Sequence, residues 1–255
     1  MTWSASQYAK FEDERTRPVR DLIAAIPTAE ASRAIDLGCG PGNSTEVLMA
    51  RYPTASITGI DSAEDMVRAA RERLPGVSFE LADIATWQAP GPWDVIVANA
   101  VLHWVPAHAV LLPRLVGALS AGGSLAVQMP DNLAEPSHVL MQQVADDGPW
   151  AAKLAGAQGE RSEVAPADWY YSLLRPRCAR VDVWRTTYHH PLADIDAVVE
   201  WFKGSGLRPF LSPLDQEEQA EYLLRYRAAL ARAYPIQPDG SVLLPFPRLF
   251  FVATR

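Results

Sequence analysis

The sequence predicts an α/β protein with a mainly parallel sheet that helices cover on both faces. Short apolar segments alternate with helical segments through the first half of the chain, as in strand–helix–strand units. A glycine-rich turn, Gly38 to Gly42, joins the first of these strands to the first of these helices. Ligands of such sheets bind beyond the carboxyl ends of the strands, so the residues that follow each strand are the first candidates for a site.

The first half of the chain is assigned from its hydrophobic periodicity. Residues 3–25 predict one or two amphipathic helices, with Pro18 in the first turn of the second helix, and residues 1–28 are expected to form a lid. Strands are predicted at 33–37, 56–60, 77–81, 93–98 and 124–129, and helices at 43–51, 63–73 and 109–120. Asn43 and Glu46 predict a capping box at the first helix after the glycine turn.

The second half is predicted to contain more helix. Helical stretches are expected at 136–145, 166–174, 194–203 and 213–234, and strands at 181–188 and 248–253. Tyr222, Tyr226 and Leu230 fall on one stripe of the last helix, which predicts that they are buried. We expect a single domain over residues 1–255, with helical cap insertions at 130–180 and 189–244.

Composition excludes several classes of partner. The formal net charge of −7 argues against nucleic acid, whose binding requires a basic surface. No apolar run approaches the roughly 20 residues that span a membrane. The two cysteines, Cys39 and Cys178, predict reduced thiols, and His189-His190 predicts a loop pair without metal. We therefore expect a cytoplasmic protein, a monomer or weak homodimer, that binds no membrane.

Polar residues follow four consecutive predicted strands. Asp36 precedes the glycine turn, and Asp61, Asp83 and Asn99 stand at the ends of the next three strands. One such residue is more often a helix cap than a ligand. Four of them beside a glycine turn indicate a binding site for a small cofactor.

The spacing of the glycines narrows the cofactor class. A dinucleotide site requires G-x-G-x-x-G, whereas the third glycine here is one place early, at Gly42. A P-loop is excluded because no Gly-Lys-Ser/Thr follows. Residues 35–50 contain no basic residue, which suits a cation without phosphate.

These motifs resemble those of the class I S-adenosylmethionine-dependent methyltransferases. Asp36 to Gly42 matches their first motif, Asp61 the acid that binds the ribose, and Asp83-Ile84 the pair that meets adenine. The resemblance implies a Rossmann-like, doubly wound sheet of seven strands whose last strand is antiparallel. It implies S-adenosylmethionine as cofactor, bound by Asp36, Gly38, Cys39, Gly40, Asn43, Asp61, Ser62, Met66, Asp83, Ile84, Asn99 and Trp104.

Further stretches, such as Asn99 to Trp104 and Gly206 to Phe210, resemble the subfamily that esterifies trans-aconitate. That resemblance implies a small tricarboxylate substrate, for which arginines and hydrogen-bonding side chains in the lid and cap are suitable partners. The candidates are Tyr8, Arg15, Arg17, His103, Arg185, Tyr188 and Arg208. Arg248, inside the last strand, is expected to be structural.

No catalytic residue is assigned, because a carboxylate acceptor is ionised at neutral pH and needs no general base. His103 is the candidate base if the acceptor is instead a phenol or an amine. A protein that binds the cofactor without turnover is the third alternative.

Overall fold

The computed structural model describes residues 12–88, 91–157 and 163–255, apart from the side chains of Glu12, Asp13 and Arg15. The helices are α1 (Glu12–Ala24), α2 (Asn43–Arg51), α3 (Glu64–Arg73), α4 (His108–Gly117), α5 (Pro136–Asp146), α6 (Ala151–Leu154), α7 (Ala167–Leu174), α8 (Ile195–Lys203), α9 (Arg208–Leu211) and α10 (Gln216–Ala233). The strands are β1 (Arg33–Leu37), β2 (Ser56–Asp61), β3 (Ser78–Leu81), β4 (Trp93–Asn99), β5 (Leu119–Pro130), β6 (Arg180–Leu192) and β7 (Val242–Thr254). Short 3₁₀ turns cover Leu102–Trp104 and Arg175–Arg177.

The strands form one seven-stranded sheet in the order β3-β2-β1-β4-β5-β7-β6. Strands β1 to β5 run parallel to one another. The order reverses direction at β1, next to β4, which is the switch point where such sheets bind ligands. The predicted doubly wound, mostly parallel sheet is confirmed.

Strand β7 runs antiparallel to β5. The amide of Gly122 donates to the carbonyl of Arg255, and the amide of Arg255 donates to the carbonyl of Gly123. At the other end the amide of Asp131 donates to the carbonyl of Pro247. Residue numbers therefore rise along one strand as they fall along the other, as the family resemblance implies for the last strand.

The chain divides into two compact units. The first comprises residues up to 130, 164–186 and 249–255, and the second comprises residues 131–163 and 187–248. The first unit holds a core between its strands and the helices α4 and α7, where Tyr170 stacks on Phe251 with ring centroids 5.2 Å apart. Residues 164–180, which the sequence places in a cap insertion, belong to this first unit.

Three local predictions are wrong. His189 and His190, expected to form a loop pair, lie in strand β6. Pro18 lies inside the single helix α1 and does not begin a second one. Burial of Val19, Leu22 and Ile23 stabilises the helix across this proline, although a proline removes one backbone hydrogen bond. Helix α2 has no capping box, because its N-cap is Gly42 in the left-handed conformation (φ 95°).

Glu46, the predicted partner in that box, instead pairs with Arg73 at 2.7 Å. The remaining strand and helix predictions agree with the structure to within a few residues, except that β5, β6 and β7 are longer than expected. Tyr222, Tyr226 and Leu230 are fully buried, as their stripe on α10 predicts.

Candidate functional site

The carboxyl ends of three neighbouring strands form a row of candidate residues. Leu37 of β1 pairs with Ile60 of β2 and with Ala98 of β4. The next residue of each strand is therefore in the same row, which places Gly38 between Asp61 and Asn99. The sheet register thus brings together three of the residues that the sequence assigns to cofactor binding.

The glycine turn is fastened to β2 by backbone hydrogen bonds. The amides of Gly38 and Cys39 both donate to the carbonyl of Ile60, at 2.8 and 2.9 Å. Gly38 has a φ of 68°, and a Cβ atom there would lie 2.3 Å from a methyl group of Val101. The turn thus needs glycine at position 38 for both conformation and space.

Gly40 is different from Gly38. Its φ is 54°, but a Cβ atom there would meet no described atom within 4 Å. Its amide donates to Oδ2 of Asp61 at 3.0 Å. The turn therefore presents an open backbone face at Gly40, against which a ligand can lie.

Asp36 is fully buried, and only one of its oxygens is in use. Oδ2 accepts hydrogen bonds from the hydroxyls of Ser44 and Thr45, at 2.6 and 2.7 Å. Oδ1 receives no hydrogen bond from the described residues. Burial raises the pKa of Asp36 from 3.8 to about 6, against the opposing effect of the two hydroxyls, and nearby Asp61 adds to the rise.

Asp61 connects the glycine turn to the start of α3. Besides the Gly40 bond, its Oδ1 accepts from the amide of Ala63 at 2.9 Å. Burial raises the pKa of Asp61, and the backbone donors act in the opposite direction. A carboxylate has about four acceptor positions, so Asp61 retains capacity for ligand hydroxyls.

Asn99 ends β4 beside a sharp turn. Ala100, the next residue, has a positive φ of 53°, an uncommon conformation for a non-glycine residue that is found at functional sites. The Oδ1 atom of Asn99 is buried and accepts no hydrogen bond from the part of the chain that the structure describes. Asn99 thus offers a second open acceptor.

The turn after β3 contains the predicted adenine pair. Asp83 is exposed, and its Oδ1 accepts from the amide of Ala85 at 2.9 Å. Ile84 is buried in the core of the first unit. The turn therefore combines an exposed carboxylate with a buried aliphatic side chain.

The other predicted cofactor residues differ in how exposed their side chains are. Ser62 is exposed, Asn43 half-buried, and Met66 is buried on α3. Cys39 packs with Val67, Ala70 and Phe79, and burial raises the pKa of its thiol, so this side chain is a neutral core group. Only the backbone of Cys39 remains as a candidate for binding.

His103 and Trp104 lie in the 3₁₀ turn Leu102–Trp104, with ring centroids 5.0 Å apart. His103 is buried, and Trp104 is half-buried. His108 bonds this turn through the carbonyl of Leu102 at 2.9 Å, and its other ring nitrogen bonds the hydroxyl of Tyr170 at 2.9 Å. Because Leu102 O is an acceptor only, Nε2 of His108 carries the proton.

Sequence reasoning missed these supporting residues. Tyr170 is 62 positions from His108, and no local pattern indicates that they meet. Ser44 and Thr45 did carry a signal, since hydroxyls in the first turn of the helix after a glycine turn can reach back to the preceding strand.

The predicted acceptor residues are distributed over both units. Arg17, His103 and Arg185 belong to the first unit, and Tyr188 and Arg208 belong to the second. Arg17 and Arg185 are exposed, and Arg208 begins α9. Tyr188 is buried, and its ring stacks on His190 with centroids 6.2 Å apart. Tyr8 and the side chain of Arg15 lie outside the described residues.

Arg248 is buried in the second unit. Its guanidinium lies 4.6 Å from the ring centroid of Phe246 and 6.0 Å from that of Tyr188. Arg248 thus lies among aromatic rings, and its structural role stays a prediction.

The hydrogen-bond acceptors at these strand ends fit S-adenosylmethionine. That cofactor carries an ammonium group, two ribose hydroxyls and a sulfonium cation, which require acceptors and negative charge. The site offers open oxygens on Asp36 and Asn99, the carboxylate of Asp61, and an open backbone face at Gly40. These residues therefore fit the cofactor that the sequence implies.

Among the described residues, no group of three His, Cys, Asp or Glu side chains is placed to hold a metal ion. No helix in residues 12–88, 91–157 or 163–255 has the length and apolar character needed to cross a bilayer.

Comparison with known proteins places the chain in a family. Residues 34–123 match the model of the methyltransferase domain. The chain is 59% identical to the trans-aconitate 2-methyltransferase of Methylobacterium nodulans, over 99% of this chain and 98% of that protein. It is 56% identical to the trans-aconitate 2-methyltransferase of Rhodopseudomonas palustris, over 99% of each.

A solved structure shares the fold. The YcgJ protein of Bacillus subtilis superposes with a TM-score of 0.61 at 12% identity, over 94% of this chain and 98% of that one. The identity to the curated relatives extends over both units and the whole sheet. The chain belongs to the trans-aconitate 2-methyltransferase family.

Proposed function

We propose that this protein transfers a methyl group from S-adenosylmethionine to one carboxylate of trans-aconitate. The products are the monomethyl ester and S-adenosylhomocysteine. The observation that carries the proposal is the pair of open buried acceptors, Asp36 Oδ1 and Asn99 Oδ1, beside a glycine turn without basic residues. The names of the full-length relatives support trans-aconitate as the acceptor.

The candidate residues at the strand ends have separate roles in cofactor binding. Asp36 and Asn99 accept hydrogen bonds from the cationic end, Asp61 accepts from the ribose hydroxyls, and Asp83 with Ile84 receives the adenine. Ser44 and Thr45 hold Asp36, and Asp61 holds Gly40, so the acceptors are oriented before the ligand binds. When bound, the cofactor supplies an electrophilic methyl group on sulfur.

The acceptor chemistry requires positioning without a general base. A carboxylate with an ordinary pKa near 4 is ionised at pH 7, so its oxygen is already a nucleophile. Arginines hold carboxylates bidentately, and holding two reactants in line contributes on the order of 7–11 kcal/mol at best. We assign Arg17, Arg185 and Arg208 to the carboxylates of the acceptor, and Tyr188 and His103 to hydrogen bonds with it.

A methyl-transfer assay tests the whole proposal. The protein is incubated with S-adenosylmethionine labelled in the methyl group and with trans-aconitate, and the product is examined for a base-labile methyl ester. We expect label in the monomethyl ester. Labelled methyl transfer to a phenol or an amine but not to trans-aconitate would reject this acceptor class.

Substitution of His103 distinguishes a carboxylate acceptor from an acceptor that needs a general base. With trans-aconitate, we expect His103→Phe to lose less than about tenfold in kcat, because proton transfer contributes nothing to this step. A near-total loss of kcat with unchanged acceptor binding would contradict the mechanism.

The arginines are tested through the KM of each substrate. We expect Arg185→Ala and Arg208→Ala to raise the KM for trans-aconitate, while calorimetry finds the affinity for S-adenosylhomocysteine unchanged. An equal loss of cofactor affinity would refute this division of roles. We place the enzyme in the cytoplasm, as a monomer or a weak homodimer.

A further inference from the structure

Arg114 joins helix α4 to the turn that follows β3. Its Nη2 donates to the carbonyl of Ile84 at 2.6 Å, and its Nη1 donates to the carbonyl of Ala85 at 3.0 Å. The two bonds connect positions about 30 residues apart in sequence. The planar fork of a guanidinium can serve two adjacent carbonyls at once, which a lysine ammonium does less well.

The turn needs such support because β3 offers little. Strand β3 has four residues and lies at the edge of the sheet, with β2 as its neighbour. The start of the turn is bonded to β2, because the amide of Ala82 donates to the carbonyl of Asp61 at 2.9 Å. Further along, the turn is wound around Asp83, whose carbonyl accepts from the amides of Thr86 and Trp87 at 3.1 and 2.7 Å. The Asp83 bonds shape the turn locally and do not connect Ile84 or Ala85 to another element.

Helix α4 is a rigid anchor for this contact. Leu111, Leu112, Leu115 and Val116 are buried in the core of the first unit, where Ile84 is also buried. Arg114 itself is half-buried, with Nε enclosed. The arginine therefore sets the position of the Ile84 and Ala85 backbone relative to a fixed part of the core.

We propose that Arg114 is a positioning residue that determines the selectivity of the cofactor site for adenine. It fixes the turn on which the exposed Asp83 carboxylate and the Ile84 side chain face the base. This inference rests on the proposed function, which places the adenine at Asp83 and Ile84. Arg114 acts through the turn and does not touch the cofactor.

The test measures base selectivity by calorimetry. S-adenosylhomocysteine is compared with S-ribosylhomocysteine, which lacks the base, and selectivity is the ratio of their dissociation constants. We expect Arg114→Met and Arg114→Lys to reduce this ratio by about tenfold, since a charge-assisted bond to the turn is lost. The affinity for S-ribosylhomocysteine should change less than twofold.

Arg71 provides a matched control. Its Nη2 donates to the carbonyl of Phe79 at 2.6 Å, so it also bonds the β3 backbone, but within the strand and before the turn. Arg71→Met and Arg71→Lys should leave the selectivity ratio within twofold of the wild-type value. The same reduction in the Arg71 variants, or an unchanged ratio in the Arg114 variants, would overturn the inference.

The wild-type measurement separates the two proposals. If the wild-type protein does not bind S-adenosylhomocysteine, the proposed function fails. If it binds with a clear preference over S-ribosylhomocysteine that Arg114→Lys retains in full, only the role of Arg114 fails. Should Arg114→Met not fold, Arg114→Lys decides the question, because it keeps the charge and the aliphatic stem.

Discussion

Two sets of buried polar side chains, one in each compact unit, differ in how their hydrogen bonds are satisfied. In the first unit, Asp36 and Asn99 each keep an oxygen that accepts nothing from the described residues. In the second unit, three tyrosine hydroxyls of the α10 region bond the backbone of α5. Tyr222 donates to Met141 O at 2.8 Å, Tyr226 donates to Ser137 O at 2.9 Å, and Tyr234 accepts from Ser137 N at 3.0 Å.

This difference distinguishes side chains that bind a ligand from side chains that stabilise the fold. A buried polar atom without a partner destabilises a protein, so its retention at a strand end indicates a ligand that satisfies it. Tyr234 supplies an acceptor for an N–H group in the first turn of α5, and Tyr222 and Tyr226 donate to carbonyls of the same helix. Substitutions in the first set should therefore change cofactor affinity, and substitutions in the second set should change stability alone.

The glycine turn gives the largest expected effect. Gly38→Ala forces a positive φ on alanine and drives its Cβ into Val101, so we expect a loss of about 4 kcal/mol in the free energy of unfolding. Denaturant unfolding measures it. A stable Gly38→Ala protein with wild-type affinity would show that the turn does not need glycine there.

Gly40→Ala is the matched variant in the same turn. It meets no described atom, so we expect a loss of only about 1 kcal/mol in stability from its positive φ. Because the new methyl group occupies the proposed ligand face, affinity for S-adenosylhomocysteine should fall on the order of a hundredfold, about 3 kcal/mol. Unchanged affinity would place the ligand elsewhere.

The next largest effect is the pH dependence of stability that Asp36 produces. Burial raises its pKa to about 6 from 3.8, so between those values the folded protein binds a proton that the unfolded chain has lost. Stability without cofactor therefore falls as pH rises through this window, by about 3 kcal/mol in total from this group. Asp36→Asn removes this contribution. The free energy of unfolding of the variant, relative to that of wild type, should therefore rise by about 3 kcal/mol from pH 4 to pH 7.

Cofactor binding should show the opposite dependence at Asp36. The ammonium group of the cofactor favours the ionised carboxylate, so wild-type affinity for S-adenosylhomocysteine should strengthen as pH rises through 6. Asp36→Asn should bind more weakly at pH 7 and lose this pH dependence. Parallel stability curves for the two proteins from pH 4 to pH 7 would contradict the assignment of the raised pKa to Asp36.

Tyr226 tests the second unit. Its hydroxyl is fully buried, and Tyr226→Phe leaves the carbonyl of Ser137 without this donor, so we expect a loss of about 2 kcal/mol in the free energy of unfolding. The affinity for S-adenosylhomocysteine should remain within twofold of wild type. A selective loss of cofactor affinity, with stability unchanged, would remove the distinction between the two units.

Much of the fold could be predicted because its signals are local. Alternating apolar and helical segments identify β1 to β5 and the helices between them, and the glycine turn marks the ligand end of the sheet. The buried stripe of Tyr222 and Tyr226 also follows from helical periodicity. The partner of this stripe does not follow from periodicity, because Met141 and Ser137 of α5 lie 81 and 89 residues from the tyrosines that bond them.

The supporting contacts of the site were hidden for the same reason. Arg114 bonds Ile84 and His108 bonds Tyr170, and neither pair falls within one helix or one strand. The length of β6 and β7 also depends on pairing across the sheet rather than on their own residues. The sequence therefore indicates candidate side chains for the ligand but not the residues that hold them in place.

The smallest expected effect concerns the start of α2, where local pattern and structure disagree. A capping box at Asn43 and Glu46 would make Glu46→Gln nearly harmless in all salt conditions, since glutamine also fills that position. The structure instead pairs Glu46 with Arg73 at the surface, with about half of the Glu46 side chain exposed. We therefore expect Glu46→Gln to lose about 0.5 kcal/mol in the free energy of unfolding at low salt, and nothing at 1 M salt, where exposed charges are screened. Equal stability of the two proteins at low salt would mean that Gly42, with its positive φ, begins α2 without any help from the charge of Glu46.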